Sequence, residues 1–234
     1  MTVKNLKIFW VISNFKQDPT DIIDVIKHTG EYVIFDQGDG VLVPKEIING
    51  DFYSQSKHTG HNISDYLRYI IDNYEDLPER VGFIKGNVFP RHISKEKFLA
   101  RIKEPGFVPL YHEDSTLKPT YHKIFKWRLI AQHVAPGYYM EIANDWYCRE
   151  KKNQNGKFYT GLRGFLKDLL GVEKPEYISF VPGACMIVPK NKILRWPVEF
   201  YIKLYEIVSY EFFPLEAYHL ERSMLYVFNY PKNN

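Results

Sequence analysis

Residues 6–92 alternate between short apolar runs and amphipathic stretches. Leu6–Asn14, "LKIFWVISN", is β-branched and aromatic and breaks at Ser13-Asn14, which predicts a buried strand. In "DPTDIIDVIKHTG", Asp18 can cap a helix, Pro19 suits its first turn and Gly30 marks its end. "EYVIFDQGDG" predicts a second strand stopped by a Gly/Asp cluster. Asn62–Leu77 carries the clearest helical period. At about 100° per residue, Ile63, Tyr66, Leu67, Ile70, Ile71, Tyr74 and Leu77 share one arc, and Arg68, Asp72, Glu75 and Asp76 oppose it. Pro78 lies just beyond, and "RVGFIKG" predicts a third strand. The resulting β-α-β-α-β order is that of a parallel, nucleotide-binding half-sheet.

Downstream the pattern is less regular. "SKEKFLARIK" predicts a short surface helix capped by Ser94. Glu104–Tyr121 is punctuated by Pro and Gly and reads as a loop or lid. Lys123–Lys157 is mixed and yields no assignment. "FYTGLRGFLKDLLG" is helical in pattern, and "EYISFVPGACMIVP" reads as strand, turn at Pro182-Gly183, and strand. Pro197 opens a helix to about Val208, and Pro214 opens one to about Phe228. With no repeat, low-complexity tract or linker, residues 1–234 read as a single α/β domain. Its Rossmann-like sheet is mixed, mainly parallel and flanked by helices.

The helix after Pro214 holds an anomaly. Leu215, Tyr218, Met224, Leu225 and Phe228 define an apolar arc, with Glu216, His219, Arg222 and Ser223 on the other side. Glu221 falls inside the arc. A buried carboxylate costs several kcal/mol unless it is paired. It is kept for a structural ion pair or for chemistry such as that of a general base.

Composition narrows the function. The chain is long enough to bury a core without disulfides. Its net charge of +3, from 31 basic and 28 acidic residues, gives no concentrated basic stripe and argues against a nucleic-acid partner. Cys148 and Cys185 need not pair, and Cys185 in "FVPGACMIV" reads as a buried small hydrophobe. No segment approaches the roughly 20 apolar residues of a membrane helix, and "IFWVI" is too short for a signal peptide. Cytoplasmic localisation is therefore expected, with peripheral membrane contact through exposed aromatics left open. His92, His112, His122, His133 and His219 lack metal-ligand spacing. No P-loop, G-x-G-x-x-G or nucleophile elbow is present, so NTPase, NAD and acyl-transfer chemistry lack support.

In an open α/β sheet, ligands bind outside the carboxyl ends of the strands. Three such ends carry chemistry: Ser13-Asn14, Asp36-Gln37-Gly38 and Gly86-Asn87. Asp36 can accept hydrogen bonds from a base or ribose, or can satisfy its own turn. Gly60 and Asn62 precede the strongest helix, where Asn62 or Ser64 can cap it or the N-terminus can face an anion. At Gly86-Asn87 a diphosphate can approach the backbone closely. Its charge would be met by Lys85, Arg91 or His92.

Five stretches, "VISNFKQD", "VIFDQGDG", "TGHNISDYLRYIIDNYEDLPERVGFIKGNVFPRH", "FVPGACMIVPKNKILRWPVEFYIKLYEIV" and "YHLERSMLYVFN", together resemble a family of fungal and bacterial proteins grouped as a domain of unknown function. That family looks like glycosyltransferases of the GT-A type. The resemblance implies a nucleotide-binding half at 1–92 and an acceptor-side half at 93–234. It implies transfer of a sugar from a nucleotide-sugar donor to a hydroxyl of a glycan or glycoconjugate. Ser13, Asn14, Asp36, Gly60, Asn62, Gly86 and Asn87 would bind the donor. Arg91, His92, Gly183 and His219 would contact phosphate or acceptor, and Glu221 would be the catalytic base. Two departures matter. The family often has Gly-Arg-Glu where this chain has Gly60-His61-Asn62, and Asn62 cannot act as a base. GT-A enzymes typically end the third strand in Asp-x-Asp, which holds Mn²⁺ or Mg²⁺, whereas "KGNVF" offers no carboxylate and no residue here is assigned to metal. The alternatives are a catalytically degenerate nucleotide- or glycan-binding protein and, third, a glycoside hydrolase, which would need two facing carboxylates.

Overall fold

The run Phe9–Asn14 (β1) is buried on both faces because strands lie on either side of it and helices cover the sheet above and below. The computed structural model describes residues 7–111, 119–122, 125–126, 129–134, 137–144, 156–173 and 175–229. His112 and Cys148 lie outside them.

After β1 come α1 (Thr20–Ile26), β2 (Tyr32–Asp36), α2 (Lys45–Ile48), β3 (Tyr53–Gln55), α3 (His61–Asp72), β4 (Arg80–Lys85), α4 (Lys95–Arg101) and β5 (Val108–Pro109). Next are β6 (Thr120–Tyr121), β7 (Leu129–Val134), β8 (Tyr138–Ile142), α5 (Leu162–Leu170), β9 (Tyr177–Phe180) and β10 (Met186–Pro189). Three helices follow: α6 (Lys190–Ile193), α7 (Val198–Val208) and α8 (Leu215–Phe228).

The larger sheet has the order β3-β2-β1-β4-β10-β5. The first four strands are parallel, and β10 runs antiparallel to both β4 and β5. This is a mixed sheet flanked by helices in an α/β chain. Strand alternation sends Val11 and Phe83 into the core shared with α3, α7 and α8. Trp10, Ile12 and Ile84 point the other way, onto α1 and α4. Gly82 is required where Trp10 crosses β4, since a Cβ there would lie 2.2 Å from the indole.

Several expectations change. The helix expected over Asn62–Leu77 stops at Asp72, where Asn73 leaves helical geometry (φ −120°) and its side-chain amide adds a bond to the Tyr69 carbonyl. Leu77 is still buried. The short β3 and α2 were not legible, and the expected lid at Glu104–Tyr121 contributes β5 to the sheet. The unassigned region and its neighbours form a second, antiparallel sheet of order β6-β7-β8-β9. The two strands around Pro182-Gly183 do not pair. β9 belongs to the small sheet and β10 to the large one, so the turn Pro182–Ala184 carries the chain between sheets.

Helix α8 departs furthest from its sequence pattern. It packs against β9, α5, α3 and α7, so both of its faces are covered. Glu216, His219, Arg222 and Ser223, placed opposite the apolar arc, are all buried. Glu216 accepts the backbone N–H groups of Phe158 (2.6 Å) and Tyr159 (2.9 Å) and the Tyr210 hydroxyl (2.7 Å), which stabilises it in the core. Cys185 is buried, as expected. Among the described residues no helix is long and apolar enough to cross a membrane.

Candidate functional site

The chain leaves β1 to build β2 and β3 on one side of it and returns to place β4 on the other. The carboxyl ends of β1 and β4 therefore flank a switch point, where a ligand crevice is expected. A cavity of about 270 Å³ opens there, lined by Ser13, Gln37, Asn62, Gly86 and Asn87 among others. A second, of about 400 Å³, includes His92, Gly183, Glu221 and Arg222 in its wall. Both share His61, Lys85, Arg91 and Phe213. They form one cleft with two lobes, joined at a pair of cations.

Glu221 is half-buried, and its Oε1 accepts the Gly183 N–H at 3.0 Å. With Tyr218 and Arg222 it is one of three α8 residues that line the larger lobe. Lys85, at the end of β4, is also half-buried. Burial holds its pKa below the usual lysine range, and the Glu221 carboxylate acts in the opposite direction. Arg91 is exposed at the junction. The turn between sheets forms the wall opposite. The Gly183 carbonyl accepts from Asn62 Nδ2 at 3.0 Å, so α3 and α8 both grip this turn. Gly183 has φ +78°, and a Cβ there would sit 2.5 Å from the His92 ring, so glycine alone lets that ring close on the turn.

Two features of the cleft escaped sequence reasoning. His61 has φ +53°, a strained backbone for a residue with a side chain. The strain is held by its N–H donating to Phe212 O (3.0 Å) and its carbonyl accepting from Gln37 Nε2 (2.6 Å). Burial pushes its imidazole pKa down to about 3, so the ring is neutral between Lys85 and Arg91. The second feature is a buried ion pair in the larger lobe, in which Arg222 Nε donates to Glu141 Oε1. Glu141 lay in the unassigned region, and Arg222 was placed opposite the apolar arc of its helix.

Four expected site residues have other work. Asn14 and Asp36 are fully buried and line neither lobe. Asn14 Nδ2 donates to Asp36 Oδ1 at 3.0 Å, and Asp36 also accepts from the Tyr53 hydroxyl and the Gly38 N–H. The turn role thus holds for Asp36. Gly60 is the left-handed N-cap of α3, and a Cβ on it would meet Ser64 and the Val208 carbonyl. His219 is buried against the Phe165 ring, away from the cleft. Gly86 does line the smaller lobe, yet a Cβ there would lie 2.2 Å from Asn14 Oδ1, so packing alone already requires glycine. Neither Asn62 nor Ser64 caps α3.

A divalent cation does not fit the end of β4. Lys85 and Arg91 are the charged groups there, and among the described residues no three His, Cys, Asp or Glu side chains gather into a ligand set.

Behind Ser13 lies Asp65 on α3, 2% exposed. It accepts from Ser13 Oγ (2.5 Å) and Gln37 Nε2 (3.0 Å). Burial raises its pKa from 3.8 to about 7, against the pull of these hydrogen bonds. The folded chain therefore keeps a proton that the unfolded chain has already lost. The stability this contributes is complete below pH 3.8 and is lost as pH rises through about 7. Urea midpoints measured from pH 4 to 8 should fall for the parent relative to Asp65→Asn, and the gap should vanish at the acid end. Parallel curves would rule out the raised pKa.

A family model described as "Protein of unknown function (DUF3431)" matches residues 49–230. No curated protein and no solved structure matches the chain.

Proposed function

This chain belongs to the DUF3431 family, and we propose that it is a GT-A-like glycosyltransferase. It would move a sugar from a nucleotide-sugar donor to a hydroxyl of a glycan or glycoconjugate. The observation that carries this reading is the convergence of Lys85, Arg91 and Glu221 on one cleft at the strand switch point. The parallel strands in the order 3-2-1-4, with the ends of β1, β2 and β4 at the cleft, support the architecture by analogy.

The donor diphosphate lies between the lobes, with Lys85 and Arg91 on its oxygens. Glu221 takes the proton of the acceptor hydroxyl. The acceptor oxygen forms its bond to the anomeric carbon as the bond from that carbon to phosphate breaks, and the electron pair leaves on the diphosphate. Two cations already in place stabilise that charge without reorganisation. The Gly183 N–H fixes one carboxylate oxygen of Glu221 and leaves the other for the hydroxyl. Neutral His61 donates or accepts a hydrogen bond at the junction without adding charge.

Thermal-shift measurements with UDP-, GDP-, CMP- and dTDP-sugars, each with and without Mn²⁺, test the reading. One nucleotide class should raise the melting temperature, and Mn²⁺ should add little. Lys85→Ala and Arg91→Ala should each weaken that ligand about 10-fold or more, the worth of a charged hydrogen bond. Binding unchanged in the double variant would overturn the placement of the diphosphate. Binding without transfer to any acceptor would favour the degenerate reading instead.

A further inference from the structure

The wall of the larger lobe away from Lys85 is aromatic, and the small sheet builds it. In β7 and β8, His133 and Tyr139 are cross-strand partners, and Tyr139 in turn pairs with Phe180 on β9. Residues two apart on a strand share a face, so Tyr139 and Glu141 point the same way. Tyr111, after β5, extends the row. Its ring stacks on His133 with centroids 5.7 Å apart and planes 5° from parallel. His133 meets Tyr139 edge-on at 4.9 Å, and Tyr139 meets Phe180 edge-on at 5.7 Å. At the far end the Arg222 guanidinium lies 4.8 Å from the Phe180 ring centre. Tyr111, His133 and Tyr139 are only half-buried. Rings packed edge to face for the core alone would normally be closed off; these border a cavity of about 400 Å³.

The charges around this wall select a ligand. Arg222 is matched by Glu141. Lys85 and Arg91 sit at the junction shared with the strand-end lobe. Of the two described carboxylates that line the larger lobe, Glu141 is in the ion pair with Arg222 and Glu221 is the other. A ligand carrying its own carboxylate would bring like charges together in a partly desolvated space. A ligand with hydroxyls would donate to Glu221 instead. An apolar face, a hydroxyl rim and no charge together describe a neutral sugar ring.

We infer that the larger lobe binds a neutral pyranose, laid against Tyr111 and Tyr139 with its hydroxyls toward Glu221. That this sugar is the acceptor rests on the transferase reading; that a neutral sugar binds there does not.

Saturation-transfer NMR on the intact chain tests it, with methyl β-glucopyranoside, methyl α-mannopyranoside and methyl β-galactopyranoside against methyl β-glucuronide. At least one neutral glycoside should receive saturation at its ring C–H protons, and the glucuronide should bind about 10-fold more weakly or not at all. Tyr139→Leu keeps an apolar volume but removes the ring face, and should raise the neutral glycoside's Kd about 10-fold. Tyr139→Phe should not. Should Tyr139→Leu disturb the small sheet, Tyr111→Leu carries the same expectation from outside it. Equal binding of the glucuronide, Kd values unmoved in both leucine variants, or no neutral glycoside bound at all would overturn the inference. Glycoside binding alongside a flat nucleotide-sugar thermal-shift panel would sink the transferase reading and leave this site standing.

Discussion

Glu221→Gln should lower turnover about 100-fold or more, the usual worth of a general base, while leaving the melting temperature close to that of the parent. Stability should survive because, among the described residues, Glu221 makes no ion pair. Its hydrogen bond is to the Gly183 N–H, and a glutamine carbonyl can accept that bond equally well. Donor affinity should hold or rise, since the lost carboxylate no longer opposes the diphosphate. Lys85 should change too. With Glu221 neutral, the group that holds its pKa up is gone, so the lysine should titrate at lower pH than in the parent. A variant that unfolds easily and keeps its turnover per folded molecule would make Glu221 structural. Steady-state kinetics beside a melting curve separates the two.

Arg222→Met should cost about 3–5 kcal/mol, because it removes the cation paired with the buried Glu141 carboxylate. Both side chains are nearly enclosed, with 6% of Arg222 and 1% of Glu141 exposed. For a chain of this size, that loss corresponds to a fall in melting temperature of roughly 6–20 °C. The double variant Glu141→Leu/Arg222→Met should recover most of it, since an apolar pair of similar volume avoids both desolvation penalties. A fall of the same size in the double variant would mean that Arg222 acts through its packing on Phe180 and Tyr218 rather than through its charge.

The parts of the fold that were legible are those where one local rule dominates. β1, β2 and β4 show as apolar runs, and α7 and α8 begin at Pro197 and Pro214, where a missing N–H does no harm. Ser94 caps α4 by accepting from Lys97 N, as its position suggested. The strand-end placement of Ser13, Gly86 and Asn87 followed from the β-α-β order alone. What stayed hidden depends on neighbours far away in sequence. Glu216 looks solvated on a helical wheel, and only the 156–160 segment folding over it supplies donors. Arg222 and Glu141 are 81 positions apart in sequence, so no local pattern pairs them. Asp36 kept two readings open until Asn14 and Tyr53 were seen to occupy it. His61 left no trace at all, because a left-handed backbone at a histidine is imposed by the Phe212 and Gln37 contacts rather than encoded locally.

The insertion of β10 between β4 and β5 has a kinetic side. Gly82 on β4 faces Ile187, roughly a hundred residues downstream, and pairings at such separation slow folding. On a ribosome, β4 emerges with one edge unpaired and stays so until β10 follows. Over that interval the strand that ends in Lys85 offers its open edge to any other nascent chain. The chain's yield in a cell should thus depend on chaperone supply more than its finished stability suggests.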